Sequence, residues 1–273
     1  MDASDPDRTG DEDPYHLVAG DPACGLLLLC DHARNRLPAA YGSLGIAAGE
    51  FERHIAYDIG AEALTRRLAD RLGAPAVLSS FSRLLIDINR GEDDPTLIMR
   101  LSDGAIVPGN RRVDAAERAR RIAAYHAPYH NAVSAAVDRA LAAGWPPILV
   151  SIHSFTPSWR GVPRPWQVGV LWDHDPRFSR ALIALLAEDA SLVVGDNEPY
   201  AGGLPGDTLY RHAIERGLAH AIIEVRQDLI AADAGVEEWT ARLAPPIAEL
   251  NRDPELHLVR HHLPSSGQAP QRY

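Results

Sequence analysis

Lysine is missing from this sequence: its 27 basic residues are all arginine, set against 37 acidic residues for a formal net charge of −10. That absence removes a Schiff-base lysine, a phosphate-loop lysine and a lysine general base. The acidic surplus argues against a nucleic-acid partner, because phosphates call for a concentrated positive surface. Cysteine is scarce as well. Cys24 and Cys30 are not spaced as C-x-x-C, and two thiols make neither a disulfide framework nor a stand-alone structural zinc site. No apolar run approaches the roughly 18 residues that span a bilayer. The start, MDASDPDRTGDEDP, lacks the apolar stretch of a signal or transit peptide. Together these features predict a cytoplasmic protein with no membrane and no nucleic-acid partner. There is also no G-x-S-x-G elbow, no G-x-G-x-x-G and no Walker sequence, which leaves serine-hydrolase and dinucleotide chemistry without support.

What is present is ordinary globular material. With 46% hydrophobic and 23% charged residues over 273 positions, the chain can bury a sizeable core. Residues 1–14 and 264–273 are polar, proline-containing and read as disordered tails around one domain, 15–263. Within it, short apolar runs alternate with helical patterns. Strands are predicted at 25–30, 76–79, 84–88, 148–152, 167–172, 192–194 and 221–225. Helices are predicted at 50–72, 114–143, 177–190, 207–216 and 236–251. Asp114 with Glu117 resembles a capping box, and Pro128 is expected to break or kink the long helix. Alternating elements of this kind imply a single three-layer α/β/α domain with a mixed, mostly parallel sheet.

Open α/β sheets bind ligands at the carboxyl ends of their strands, so the residues after each apolar run carry the interest. Asp31 and His32 follow GLLLLC, Asn89 and Arg90 follow LLIDI, and His153 and Ser154 follow ILVSI. In AIIEVRQD, Glu224 interrupts an apolar strand and Arg226 follows on the same face. A carboxylate between Ile223 and Val225 incurs a heavy desolvation cost unless it has a dedicated partner. Two imidazoles and a carboxylate are donors that zinc prefers, with an open position for water in catalytic sites. An arginine beside them offers a fork for a substrate carboxylate. Each residue also has a plainer role: structural hydrogen bonding for the histidines, an ion pair for Glu224, pairing with Asp87 for Arg90. YHAPYH at 125–130 spaces His126 and His130 by four but has Ala127 where a metalloprotease helix has glutamate. His126 reads as part of a polar helix face with Tyr129 packed inward, and His130 as a candidate for substrate contact. The Arg- and Trp-rich stretch at 158–167 reads as a loop over the site.

These segments resemble the N-formylglutamate amidohydrolase family, and more distantly the zinc carboxypeptidase and acylase group with its phosphorylase/hydrolase-like fold. The likeness runs over roughly 25–230 and is carried by SRLLIDINRGEDDPTLI (82–98), YHAPYH (125–130), SIHSFTP (151–157), GDNEPYAGG (195–203) and AIIEVRQDLI (221–230). It implies a zinc-dependent amidohydrolase acting on a small N-acyl amino acid such as N-formylglutamate. His32 and His153 would be metal ligands, Glu224 the general base, and Asn89 with Arg90 the carboxylate clamp. Arg83 or Arg226 would stabilise the oxyanion, and Asn197 would touch substrate. The carboxypeptidase group takes a ligand from a glutamate three residues after its first histidine, where this chain has Asn35. The third ligand is therefore assigned to Asp58 in HIAYDIGA, with Asp31 as the alternative. CDHAR replaces the S-P-H-S-G of the formylglutamate enzymes, which leaves the substrate open. Two other readings stand beside this one: a zinc hydrolase of another N-acyl amino acid or small peptide, and a metal-free binder of small anions.

Overall fold

A computed structural model describes residues 13–262, so all but Asp13 and Pro14 of the two expected tails lie outside the described residues. The strands are β1 (Tyr15–Val18), β2 (Leu26–Cys30), β3 (Ala76–Ser79), β4 (Leu101–Ser102), β5 (Ala105–Ile106), β6 (Ile148–Phe155), β7 (Ser158–Trp159), β8 (Val162–Pro163), β9 (Val168–Leu171), β10 (Val194–Asp196) and β11 (His220–Arg226). The α-helices are α1 (Ala61–Leu72), α2 (Ala115–Arg121), α3 (Ala127–Ala142), α4 (Arg177–Leu186) and α5 (Asp233–Leu250). Seven strands form one sheet in the order β1-β3-β2-β6-β11-β9-β10, while β4–β5 and β7–β8 are separate hairpins. The central strands β3, β2, β6 and β11 run parallel. β1 lies antiparallel at one edge, and β9 and β10 run together against the direction of β11. The sheet is mixed and mostly parallel, as expected.

Strand alternation explains the layers. Side chains two apart share a face, so Leu26, Leu28, Val150, Ile152, Ala221 and Ile223 point to one side and meet Leu64, Leu68, Phe178, Leu182, Trp239 and Leu243 of α1, α4 and α5. Leu27, Leu29, Leu149 and Ile222 point to the other and meet Tyr129, Val133 and Val137 of α3. Continuing that second face along the parallel strands leads from Leu29 to Asp31, from Leu149 through Ser151 to His153, and from Ile222 to Glu224. The core of this layer turns polar at the carboxyl ends of the strands.

Three expectations are corrected. Residues 84–88 do not form a strand, although Leu84, Leu85, Ile86 and Ile88 are buried. Side chains take the place of a sheet ladder there: Asn110 Nδ2 donates to the Leu84 carbonyl at 2.8 Å and Arg121 Nη1 to the Leu85 carbonyl at 2.7 Å. The helix expected over 50–72 starts only at Ala61. Gly60, at φ 81°, packs its Cα on the Ile230 carbonyl where any Cβ would collide, and it separates the loop carrying Asp58 from α1. The third concerns the helix expected over 114–143: it is not one α-helix but α2 and α3 joined without a gap by a π-helical turn over Ile122–His126, and Pro128 sits in the first turn of α3, where a missing N–H is tolerated. The cap at Asp114 forms as expected, accepting from Glu117 N at 2.8 Å.

Arg121 ties these irregular parts together. It is 2% exposed, and its guanidinium also reaches Asn110 Oδ1 at 2.7 Å and Glu117 Oε1 at 2.7 Å. Replacing it by leucine leaves buried acceptors unpaired, at about 3 kcal/mol. Arg121→Leu should lower the urea midpoint accordingly with an unchanged slope; an unaltered midpoint would show that the 84–88 segment is held by other means.

Candidate active site

The site is assembled on backbone first. Asp58 N donates to the His32 carbonyl at 2.9 Å, which docks the loop before α1 onto the end of β2. β6 lies beside β2 and places His153 next to both. The result is a group of three buried side chains, His32, Asp58 and His153, each offering one donor atom within 4.8 Å of the others. His153 Nδ1 is 2.8 Å and His32 Nδ1 3.5 Å from Asp58 Oδ2, and the two rings meet edge to face at 5.1 Å.

Each histidine is held from behind by its own carboxylate. His32 Nε2 lies 2.6 Å from Asp87 Oδ1, and His153 Nε2 3.1 Å from Asp31 Oδ2. This arrangement aims the two Nδ1 atoms at one point, as outer carboxylates do for metal-bound histidines. Arg83 spans Asp87 (Nη2 to Oδ2, 2.9 Å) and Asp58 (Nη1 to Oδ1, 3.6 Å). Burial alone would raise the pKa of these acids. Arg83 and His32 nevertheless hold Asp87 well below the usual carboxylate range, and His32 and His153 do the same for Asp58. Against its own burial, His153 is raised well above 6.5 by Asp31 and Asp58.

Glu224 stands in register with His153 on the neighbouring strand. Across from it on β9 is Gly169, whose missing Cβ admits the Glu198 carbonyl. Burial pushes Glu224 up to about 7, against the pull of His153 and with the help of Asp58. Its Oε2 is buried and makes no hydrogen bond; the same is true of His32 Nδ1 and Asp58 Oδ1. Unpaired polar atoms of this kind are costly to keep dry, and two nitrogens with a carboxylate are a donor set that suits zinc. The residues fit a divalent ion.

The other expected residues divide. Asn89 and Arg90 follow Asp87 directly; Asn89 Oδ1 accepts from Thr208 N at 3.0 Å, and the Arg90 guanidinium has no hydrogen-bond or ion-pair partner among the described residues. Asp31 lies outside the ligand group. Its oxygens are occupied by Tyr129 Oη (2.8 Å), Ser151 Oγ (2.9 Å) and Thr208 Oγ1 (2.8 Å) besides His153. Arg226 is bound by Asp228 at 2.8 Å instead of facing the cluster. Asn197 closes a turn, its Oδ1 accepting from Trp172 N at 2.8 Å and Gly202 N at 3.2 Å. Asn35 donates to the Phe51 carbonyl at 2.8 Å. His130 is 5% exposed with both ring nitrogens engaged, and His126 is fully buried and not on a polar surface, while Tyr129 does pack inward.

Sequence reasoning missed His54, whose Nδ1 is 3.4 Å from Asp58 Oδ1 and which burial lowers to about 4. It also missed Arg164 and Tyr200. Arg164 is 9% exposed at the base of the β7–β8 hairpin and donates to Tyr200 Oη at 3.1 Å. Burial and then the Glu224 carboxylate push that phenol up to about 12. Asp87 carried the same signal as Glu224, an acid inside an apolar run.

The family model described as N-formylglutamate amidohydrolase matches residues 24–231. Among solved structures, gene product Atu2144 from Agrobacterium tumefaciens is 36% identical, with a TM-score of 0.82 over 88% of this chain and 95% of that one. An N-formylglutamate amidohydrolase from Ralstonia eutropha JMP134, 23% identical, shares the fold with a TM-score of 0.67 over 88% of this chain and 98% of that one. No curated protein matches. A family match over this span, meeting a strand-end cluster of two histidines and two acids, establishes that the chain belongs to the N-formylglutamate amidohydrolase family, whose chemistry is amide hydrolysis.

Proposed function

We propose that the protein is a metal-dependent amidohydrolase that removes the N-acyl group, with formyl as the leading choice, from a small carboxylate-bearing amino acid such as N-formylglutamate. The observation that carries this reading is the pairing of Glu224 with the His32–Asp58–His153 group: a buried acid held up to about 7, in register with His153. The name of the Ralstonia eutropha enzyme supports the substrate. His32 Nδ1, His153 Nδ1 and Asp58 would hold one ion, zinc by its donor preference. Bound there, it supplies Lewis acidity to the scissile carbonyl and acidifies the attacking water.

The protein's own residues do the remainder. Glu224 Oε2 accepts the proton of the attacking water and returns it to the departing nitrogen, a task suited to a group that titrates near neutrality. Asn89 and Arg90 orient the substrate carboxylate; the unpartnered guanidinium offers a two-pronged fork. Asp87 and Asp31 keep the histidine rings in place, and Arg83 offsets the charge of Asp87 and Asp58. Arg164 and Tyr200 wall the pocket beside Glu224. Within this reading residues 15–263 act as one catalytic domain, and the two free cysteines agree with a cytoplasmic setting. No helix among the described residues is long and apolar enough to cross a membrane.

Elemental analysis of protein purified without a histidine tag should give one zinc per chain, and His153→Ala should lose both metal and turnover. Protein that neither contains nor takes up a divalent ion would overturn the mechanism and favour the anion-binding reading. Glu224→Gln should keep its metal while kcat on N-formylglutamate falls by about three orders of magnitude or more; near-normal turnover would remove Glu224 from the role of base. Arg90→Ala should raise KM for carboxylate substrates at least tenfold with little change in kcat. If instead kcat falls and KM holds, the clamp lies elsewhere.

A further inference from the structure

The YHAPYH motif takes no part in the chemistry above, yet His126 and His130 are 0% and 5% exposed and His212 joins them at 4%. The three rings form a file. His126 Nε2 is 2.9 Å from the Arg90 carbonyl and His130 Nε2 is 3.1 Å from the Ile88 carbonyl. Carbonyls only accept, so both Nε2 atoms carry protons, and their mutual 3.2 Å approach is packing, not a hydrogen bond. His130 Nδ1 must then accept, and it takes the Nε2–H of His212 at 2.9 Å. Of the two remaining nitrogens, His212 Nδ1 faces the Ser134 hydroxyl at 3.4 Å, and the buried His126 Nδ1, 4.0 Å from Glu92 Oε1, makes no hydrogen bond. Three neutral rings, each with its proton on Nε2, make all of these hydrogen bonds.

Two histidines four apart stand about one helical turn from each other. Together they hold the carbonyls of Ile88 and Arg90, which bracket Asn89. The π-helical turn ending at His126 adjoins α3 and leads the chain directly into the motif. Among the described residues nothing else of a regular kind fixes this segment, which belongs to no strand; its other hydrogen bonds are Asn89 N to Asp87 at 3.0 Å and Thr208 N to Asn89.

We propose that His126, His130 and His212 are positioning residues for substrate binding: by holding the backbone on both sides of Asn89 they aim the Asn89–Arg90 pair at the substrate carboxylate. This rests on the clamp assigned under the proposed function. Burial lowers the pKa of all three rings, His212 to about 4, in keeping with a neutral file at working pH.

The test compares steady-state kinetics on N-formylglutamate for the zinc-loaded wild type, Arg90→Ala, His126→Leu and His126→Gln. The expectation is that His126→Leu raises KM by roughly tenfold with kcat and zinc content near wild type. His126→Gln, whose amide restores a donor near the Nε2 position, should recover most of the affinity. If Arg90→Ala raises KM and His126→Leu does not, the positioning role is wrong while the clamp stands. If Arg90→Ala is silent or the wild type does not turn over, the clamp reading itself has failed. Nitrogen-15 spectra of the wild-type imidazoles at pH 7 decide the matter should His126→Leu not fold: Nε2–H protons on His126 and His130 support the file, and an Nε2 without a proton on either ring overturns it.

Discussion

Negative charge concentrated in a dry place is the constraint on which this structure rests. Asp31, Asp58 and Asp87 are each 1–2% exposed, and Glu224 lies beside them. A buried carboxylate costs several kcal/mol unless hydrogen bonds and opposite charge offset it. The chain meets that cost with donors drawn from its whole length. Tyr129 from α3, Ser151 from β6 and Thr208 from the segment before a π-helical turn over Tyr210–Ile214 all converge on Asp31. Arg83 closes the opposite side. The acids thus act as staples between layers, and the apolar packing of the sheet is what brings their partners within reach.

Sheet direction decides which segments arrive at this place. In the parallel centre, the loop after β2 and the carboxyl-terminal residues of β6 and β11 supply His32, His153 and Glu224. β9 runs the other way, so the chain that precedes it is delivered to the same end. That is how the β7–β8 hairpin and Arg164 come to lie near Tyr200 and Glu224. The site is built from both kinds of strand end.

Much of this is legible in the sequence, for physical reasons that can be named. Polar residues at the ends of apolar runs point to His32, His153 and Asn89–Arg90, because such positions are seldom polar without cause. The desolvation argument for Glu224 applies equally to Asp87, whose apparent pairing with the nearby Arg90 hides its bond to His32. Other parts leave no local mark. The 84–88 run reads as a strand since its burial is real; only the distant Asn110 and Arg121 reveal that side chains satisfy its backbone. Arg164 escapes because it precedes a reversed strand, and the carboxyl-end rule searches only beyond the end of a forward one. His130 reads as a substrate contact until the fold brings His126 and His212 into file with it.

The placement of His153 between two carboxylates has a chemical consequence. Both ring nitrogens face acids, and Asp31 and Asp58 raise the pKa of the ring well above 6.5 against its burial. A divalent ion held at Nδ1 in the proposed site would have to displace any proton there, so its binding would strengthen as the pH rises.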